Sequence, residues 1–271
     1  MVKLLLNCLD YNTTIQSLEN ILKVNTDRIS EFLDQCRFKV TVEGPFRSFE
    51  RIEMHEIKEF FNIDQFDFNE VVVHHVAAII NKESYYRNGI LNLENLATTD
   101  NSFSEFLAQY DISLKINPSG TIYIMKDGKE IGSEYTAYRF SKDQCINGFL
   151  LGESALIDTN VKYIRRCPEL ISHIGRVIIR NSEIERNWTE RAIPSLISFR
   201  VPIEQIDATT FHGELEYHEK QEFFIIKALE YLLLKQTDYG IENPMIFLKE
   251  KATVPPENII SIDELYNKNT M

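Results

Sequence analysis

The stretch that most constrains the fold is "EVVVHHVAAII", residues 70–80, where β-branched residues run into two histidines. Val71–Val76 predicts a strand, because β-branched side chains favour the extended backbone. Neighbours on a strand point to opposite faces, so His74 and His75 cannot bind one metal ion together from it. We expect one histidine inside the protein and one pointing outward. Either both are structural, or one binds a polar ligand where the strand ends and the next helix begins.

Elements of both kinds follow this strand. Ile79 and Ile80 open a short predicted helix that ends at Asn88-Gly89, where glycine permits a left-handed C-cap. Residues 219–235 are apolar nearly all round, which is typical of a central helix. Another helix is predicted around 143–150, and strands at 121–125, 129–131, 195–206, 245–249 and 259–262. Because strands and helices alternate without a βαβ rhythm, the sequence predicts an α+β protein, a mixed sheet with flanking helices.

The first 65 residues read as a small helical segment. Two apolar stripes and the segment 49–61 predict three helices. The first two have the outline of a helix-turn-helix, with Asn25, Thr26 and Asp27 as capping material for the second. That second helix carries three acids and one arginine, which is poor for reading a DNA groove, so we expect it to pack or to dock a partner. The predicted domains are therefore 1–65, helical, and 66–271, the α+β body.

The charge balance restricts the partners. The chain has 29 Lys+Arg against 41 Asp+Glu, so 29 − 41 gives −12. Such a field repels nucleic acids and anionic membranes unless a basic patch overrides it, and the nearest to one is the short run Lys162–Arg166. No apolar run approaches the roughly 20 residues of a membrane helix. We expect no membrane partner, and the charge disfavours a nucleic-acid partner without excluding one.

The cysteines favour a reducing compartment. Cys8, Cys36, Cys145 and Cys167 are widely separated and form no CxxC pair, so we expect free thiols. The N-terminal segment has only three consecutive leucines, too few for a secretory signal. These features predict a cytoplasmic protein.

Two further motifs invite a functional interpretation. If "FHGELEYHE" is extended, His212, Glu214, Glu216 and His218 share one face. Along a straight strand these residues stand about 6.5–7 Å apart, too far for all of them to reach one ion, so no metal site is predicted. Trp188, flanked by charged residues in "EIERNWTER", is expected to be partly exposed and hints at a partner surface.

The order of strand, histidine, helix and glycine resembles the ADP-ribosyltransferase family. The matching elements are His75, the helix after it and Gly89-Ile90. The resemblance implies that His75 holds a ribose hydroxyl of NAD and that a tyrosine, Tyr135 or Tyr138, stacks on the nicotinamide. It also implies that Glu242, near the start of a late strand, stabilises the sugar cation.

These residue types suit the chemistry that the resemblance implies. Cleavage of the nicotinamide–ribose bond passes through an oxocarbenium-like state, which a nearby carboxylate stabilises. The resulting hypothesis is a transferase that uses NAD as substrate to modify an unknown macromolecular acceptor. The alternative is a non-enzymatic interaction or regulatory protein that docks a protein partner through its helical N-terminus. A third hypothesis is a DNA-binding regulator with a ligand-sensing body.

Overall fold

The protein has an α+β architecture, as predicted. The computed structural model describes residues 4–43, 46–118, 120–132, 145–157, 161–237 and 239–265. The α-helices in these ranges are α1 Tyr11–Leu22, α2 Thr26–Cys36, α3 Met54–Phe61, α4 Lys82–Asn88, α5 Leu93–Thr98, α6 Ser102–Ala108, α7 Gly152–Ala155, α8 Val161–Ile164, α9 Glu169–His173, α10 Glu183–Arg191 and α11 Tyr217–Lys235. The strands are β1 Leu5–Leu6, β2 Val40–Glu43, β3 Phe46–Phe49, β4 Glu70–Ile79, β5 Ile112–Ile116, β6 Ile122–Lys126, β7 Lys129–Ile131, β8 Asn147–Phe149, β9 Ile193–Pro202, β10 Met245–Phe247 and β11 Ile259–Glu264.

The strands form three sheets. The largest has the order β10-β8-β4-β9-β11, with β1 pairing in parallel with β4, and the smaller ones are β2-β3 and β5-β6-β7. The chain divides into two compact units, and β4, β8 and β9 contribute residues to both. The first unit comprises residues 1–74, 148–156 and 200–247, and the second comprises 75–147, 157–199 and 248–271.

The first unit is built around α1, α2 and α11. Asp10 caps α1 by accepting a hydrogen bond from the Thr13 amide at 2.8 Å, and Asn25 caps α2 by accepting one from the Arg28 amide at 3.1 Å. The apolar stripes of both helices are buried, and ten residues of α11 are buried, which confirms the predicted helices and the central α11.

Residues 4–65 also contain strands that the sequence reading missed. β2 and β3 pair as an antiparallel hairpin between α2 and α3, and β1 precedes α1. All these residues belong to the first unit, together with 200–247. The division of the chain at residue 65 into two domains stays a prediction.

The second unit has an apolar core of its own. Residues from β4, α6, β5, β6, α9 and α10 meet there, among them Phe103, Phe106, Ile171 and Trp188. The predicted hairpin is confirmed as β6-β7. Its turn residues Asp127 and Gly128 have φ of 49° and 74°, the positive pair that a two-residue hairpin turn requires.

Two sequence predictions near β4 and β8 need correction. β4 continues to Ile79, so α4 starts at Lys82 rather than at Ile79 and ends at Asn88 as predicted. Val76–Ile79 are all buried, and the burial of this apolar run keeps it extended. The helix predicted around 143–150 is wrong for residues 147–149, which form β8.

The segment 212–218 is not a strand. A 3₁₀ turn ends at Phe211, His212 has φ of 60°, and α11 begins at Tyr217. The four side chains expected on one face therefore have no common strand to display them. The late strands lie near their predicted places. β9 ends at Pro202, the residue predicted to mark its end, so the prediction of a strand up to 206 is wrong for residues 203–205, which form a 3₁₀ turn. β10 covers the first three residues of its predicted range, and β11 covers all of its own.

Candidate functional site

A cavity of about 310 Å³ lies within the second unit. Its walls are the second half of β4, α4 and the chain that follows it, residues 145–147, the start of α9 at residues 168–170, and Trp188 on α10. Every residue on this lining belongs to the second unit. We call this space the His75 cavity, after the histidine that opens its β4 wall.

The His75 cavity is mainly apolar. Its apolar side chains are Val76, Ala77, Ala78, Ile79, Ile80, Ile90, Leu91, Leu93, Leu96, Phe103, Ile146, Ile164, Pro168, Leu170 and Trp188. Glu169, which is exposed, is the one carboxylate on the lining, and the described lining has no Lys or Arg. Such a surface suits an uncharged ligand better than an anion, because an anion would lose hydration without gaining a counter-charge.

His75 supplies a hydrogen-bond acceptor of fixed orientation. Its Nδ1 lies 2.7 Å from the main-chain oxygen of Asn147. A carbonyl oxygen can only accept, so Nδ1 carries the proton and the neutral ring keeps a lone pair on Nε2. Burial lowers the pKa of His75, with the bond to Asn147 acting in the opposite direction, so the ring is neutral near pH 7.

His74 has different surroundings. It is fully buried in the first unit, where β4 pairs with β8 at His74 and Phe149. Burial lowers the pKa of His74 to about 4, with the Asp10 carboxylate acting against it. The prediction of one interior histidine is confirmed, and it is His74.

Tyr85 adds the second polar group. It lies on α4, and burial raises the pKa of its phenol to about 12, so the hydroxyl is protonated at neutral pH. Within the described residues, neither the Tyr85 hydroxyl nor His75 Nε2 makes a hydrogen bond, although both residues line the cavity. These two groups can bind a ligand without first breaking a protein contact.

Trp188 forms part of the cavity wall, and its burial contradicts the prediction that it is partly exposed. Its side chain is only 3% exposed, and its ring packs edge-on against Phe106 with centroids 4.8 Å apart. The expectation of a partly exposed Trp188 was wrong because Ile184 and Trp188, four residues apart, share the face of α10 that packs into the core. Its indole Nε1 is buried and has no hydrogen-bond partner in the described part of the chain.

Other polar residues on the lining already have structural partners. Asn92 accepts a bond from the Asn95 amide at 2.9 Å and donates to the Lys251 carbonyl at 2.8 Å. Asn101 caps α6 by accepting from the amides of Phe103 and Ser104. These amides shape the wall and leave ligand binding to His75 and Tyr85.

Gly89 closes the end of α4 against the chain around Val254. Its φ of 73° with ψ of −157° lies outside the left-handed helical region that the sequence suggested. A Cβ at this position would stand 1.8 Å from the Val254 carbonyl oxygen. Only glycine fits there, so the sequence signal at Asn88-Gly89 reflects a close backbone approach as well as a helix end.

The structure assembles only part of the predicted site. His75 lines the cavity, whereas Glu242 is exposed, belongs to the first unit and is not on the lining. Tyr135 and Tyr138 lie outside the described residues. The NAD roles assigned to these four residues stay predictions.

Sequence reasoning missed Tyr85 and Trp188 as cavity residues. Tyr85 precedes Gly89 by four positions on α4, and Trp188 follows Ile184 by four on α10. This spacing of four residues could indicate that Tyr85 and Trp188 face the protein interior, but only the fold shows that α4 and α10 line one cavity.

Three further findings concern metals, membranes and thiols. Among the described residues, no group of three or more His, Cys, Asp or Glu side chains is placed to hold a metal ion. No helix within the described ranges is both long and apolar enough to cross a membrane. Cys8, Cys36, Cys145 and Cys167 form no disulfide with one another.

Together, the fold and the cavity define an α+β protein in which one of the two units contains an apolar pocket with a histidine on its wall. Comparison with protein-family models, curated proteins and solved structures finds no match. The chemistry of the cavity is therefore the feature that bears on what the protein binds.

Proposed function

We propose that the second unit binds a small uncharged ligand in the His75 cavity. The observation that carries this proposal is an apolar space of about 310 Å³ whose lining bears polar groups without a protein partner in the described chain, among them His75 Nε2 and the Tyr85 hydroxyl. Apolar pockets with a few polar groups are the usual form of small-molecule sites.

The expected affinity of simple probes is modest. A ligand that hides on the order of 200 Å² of apolar surface gains about 5 kcal/mol at 25 cal/mol per Å². Part of that gain is lost with the ligand's translational and rotational freedom. Small neutral probes should therefore bind in the millimolar range, with hydrogen bonds adding to it.

NAD is the specific ligand that the family resemblance implies, and we propose it as the first natural candidate. His75 stands on the cavity, and the one carboxylate on its described lining, Glu169, has the sign that the cationic nicotinamide ring needs, which supports a place there for the nicotinamide end. The diphosphate would have to lie elsewhere, because the described lining offers no Lys or Arg to neutralise it. ADP-ribosyl transfer to a macromolecule, with Glu242 and Tyr135 or Tyr138 taking part, is the reaction this candidate would serve.

Thermal melting with a panel of neutral fragments and with NAD tests the proposal. A ligand at ten times its dissociation constant adds about 1.4 kcal/mol, which raises the melting temperature by a few degrees. Ala77 shares the strand face of His75, so Ala77→Leu should fill part of the cavity and abolish the shift. Ala108→Leu, an exposed site on α6 away from the lining, should keep it.

The outcomes separate the ligands. A shift with fragments but not with NAD would support the cavity and remove the transferase candidate. A shift with NAD that His75→Ala and Glu242→Gln both abolish would support the transferase. If neither NAD nor any fragment shifts the wild type, the proposed function is wrong.

A second candidate is docking of a protein partner through the N-terminal segment, favoured by Phe38. This side chain is 73% exposed in the 3₁₀ turn Arg37–Lys39, and nearby Val42 is also exposed. A partner recovered by the wild type and lost by Phe38→Ser, in the absence of any ligand shift, would support this function. We propose a cytoplasmic location for either function, which the lack of disulfides among the four described cysteines supports.

A further inference from the structure

We infer that the ligand of the His75 cavity carries an O–H or N–H group that donates a hydrogen bond to Nε2 of His75, and that molecules of the same shape without a donor are discriminated against. The inference rests on the proposed function and adds to it the chemical class of the ligand. That class is a compact, uncharged molecule with an apolar body and one donor, such as an alcohol, a phenol or a secondary amide.

The first step is the fixed tautomer of His75. A free imidazole can place its proton on either nitrogen and so adapt to a donor or an acceptor. Here Nδ1 is 2.7 Å from the Asn147 carbonyl, a main-chain acceptor that cannot rotate into a donor. Moving the proton to Nε2 would set two lone pairs against each other, so Nε2 remains an acceptor.

The second step is the neighbouring phenol. The Tyr85 hydroxyl can donate or accept, so it imposes no choice between ligands that carry a donor and ligands that carry only an acceptor. Selection by donor therefore falls to His75. Tyr85 would instead bind a second polar atom of the ligand, or the far side of the same hydroxyl.

The third step is the absence of compensating charge. Glu169, exposed on the lining, is the one full charge among the described lining residues. An anionic ligand would meet a carboxylate and no cation, and so would lose hydration without repayment. An uncharged ligand avoids this cost, while the wall of leucine, isoleucine and aromatic side chains accepts its apolar body.

A matched pair of probes tests the inference. The probes are 4-fluorophenol and 4-fluoroanisole, which differ by the methyl group that replaces the donor hydrogen, and ¹⁹F NMR titration measures both on the full chain. We expect the phenol to bind the wild type about five- to tenfold more tightly, the usual range for one hydrogen bond. In His75→Phe the ratio should fall to about one, because both probes then meet a hydrocarbon edge.

Neighbouring tyrosines provide the control. Tyr85→Phe should weaken both probes and keep the phenol preferred, whereas Tyr86→Phe, at a residue 46% exposed, should change neither. If His75→Phe does not fold, the ratio of the two probes' affinities for the wild type still tests the inference: a ratio of one would contradict it.

The possible results distinguish the inference from the proposed function. We call the inferred preference for ligands that donate to His75 Nε2 the donor rule. If phenol and anisole bind the wild type equally, and Ala77→Leu abolishes binding of both, the donor rule is wrong but the cavity is still a ligand site. A phenol preference that survives in His75→Phe would also overturn the donor rule. If neither probe binds and no fragment shifts the melt, the proposed function fails and the donor rule fails with it.

Discussion

At the scale of single residues, two adjacent histidines serve two environments. His74 is fully buried in the first unit, and its neighbour His75 lies on the cavity wall of the second. Alternation along β4 explains the separation, since consecutive side chains leave a strand on opposite faces. Because of this alternation, mutation can separate the effect of His74 on stability from the effect of His75 on ligand binding.

The buried His74 makes stability depend on pH. Its pKa falls from 6.5 to about 4 on folding, so the unfolded chain binds more protons in that interval. The contribution of neutral His74 to the free energy of unfolding is fully present above pH 6.5. It is lost as the pH falls towards 4, and the total loss is about 3 kcal/mol. Urea unfolding at several pH values should show a shallower loss for His74→Gln than for the wild type. The exposed-site variant His218→Gln is the control, and an unchanged slope in His74→Gln would contradict the assignment.

Trp188 combines a large packed ring with an unpaired indole N–H. Trp188→Phe keeps most of the ring and removes the unpaired donor, so we expect it to cost under about 1.5 kcal/mol. Trp188→Ala opens the core and should cost about 3–5 kcal/mol. Chemical denaturation of both variants measures the difference. Equal losses would mean that the indole N–H has a partner in solution.

At the scale of elements, the end of α4 depends on one glycine. Alanine at Gly89 would set its Cβ against the Val254 carbonyl, whereas alanine at Gly128 meets open space. Both glycines have positive φ, 73° and 74°, and only at Gly89 does a Cβ also collide with the backbone. We expect Gly128→Ala to cost about 1–2 kcal/mol and Gly89→Ala about 3–5 kcal/mol in urea unfolding. Similar costs would show that the chain at Val254 moves away easily.

A buried lysine joins the β2-β3 hairpin to α3 within the first unit. Lys39 is 5% exposed, and its Nζ lies 3.1 Å from Glu56 Oε1 and 3.3 Å from the Arg51 carbonyl. Glu56→Gln preserves the capping box of α3 but leaves the ammonium buried without its closest counter-charge, a loss of about 3 kcal/mol. The double variant Lys39→Met/Glu56→Gln should recover much of it. Additive losses in the double-mutant cycle would contradict a direct pairing.

The elements and the site differ in how far the sequence predicts them. Capping residues such as Asn25, the Asp127-Gly128 turn and the apolar face of α11 are local signals, and each predicts its element correctly. β8 was missed because three residues carry too little periodicity to outweigh a neighbouring helical pattern. The extension of β4 to Ile79 reflects burial, which is decided by the rest of the fold.

The cavity was only partly predictable for the same reason. His75 could be suspected from its place at the end of a β-branched run. Tyr85, Trp188 and the carbonyl of Asn147 lie far apart in the chain, and no local pattern says that they line one space. The tautomer of His75 depends on a main-chain atom 72 residues away, a relation that exists only in the folded chain.

At the scale of the whole molecule, the −12 charge and the uncharged cavity point to different partners. The acidic surface disfavours anionic macromolecules, while the apolar lining of the cavity favours a neutral molecule. Ligand binding should therefore depend little on ionic strength, because no ion pair forms on binding.

The most direct test of the central claim uses the chain's single tryptophan, which lies on the cavity wall. Intrinsic fluorescence is followed while cyclohexanol, a neutral alcohol, is titrated into the wild type and into Ala77→Leu. We expect a saturable change in Trp188 emission for the wild type and none for Ala77→Leu, with both proteins folded under the conditions of the titration. A linear, non-saturating response, or the same saturable change in both proteins, would contradict a ligand site in the His75 cavity.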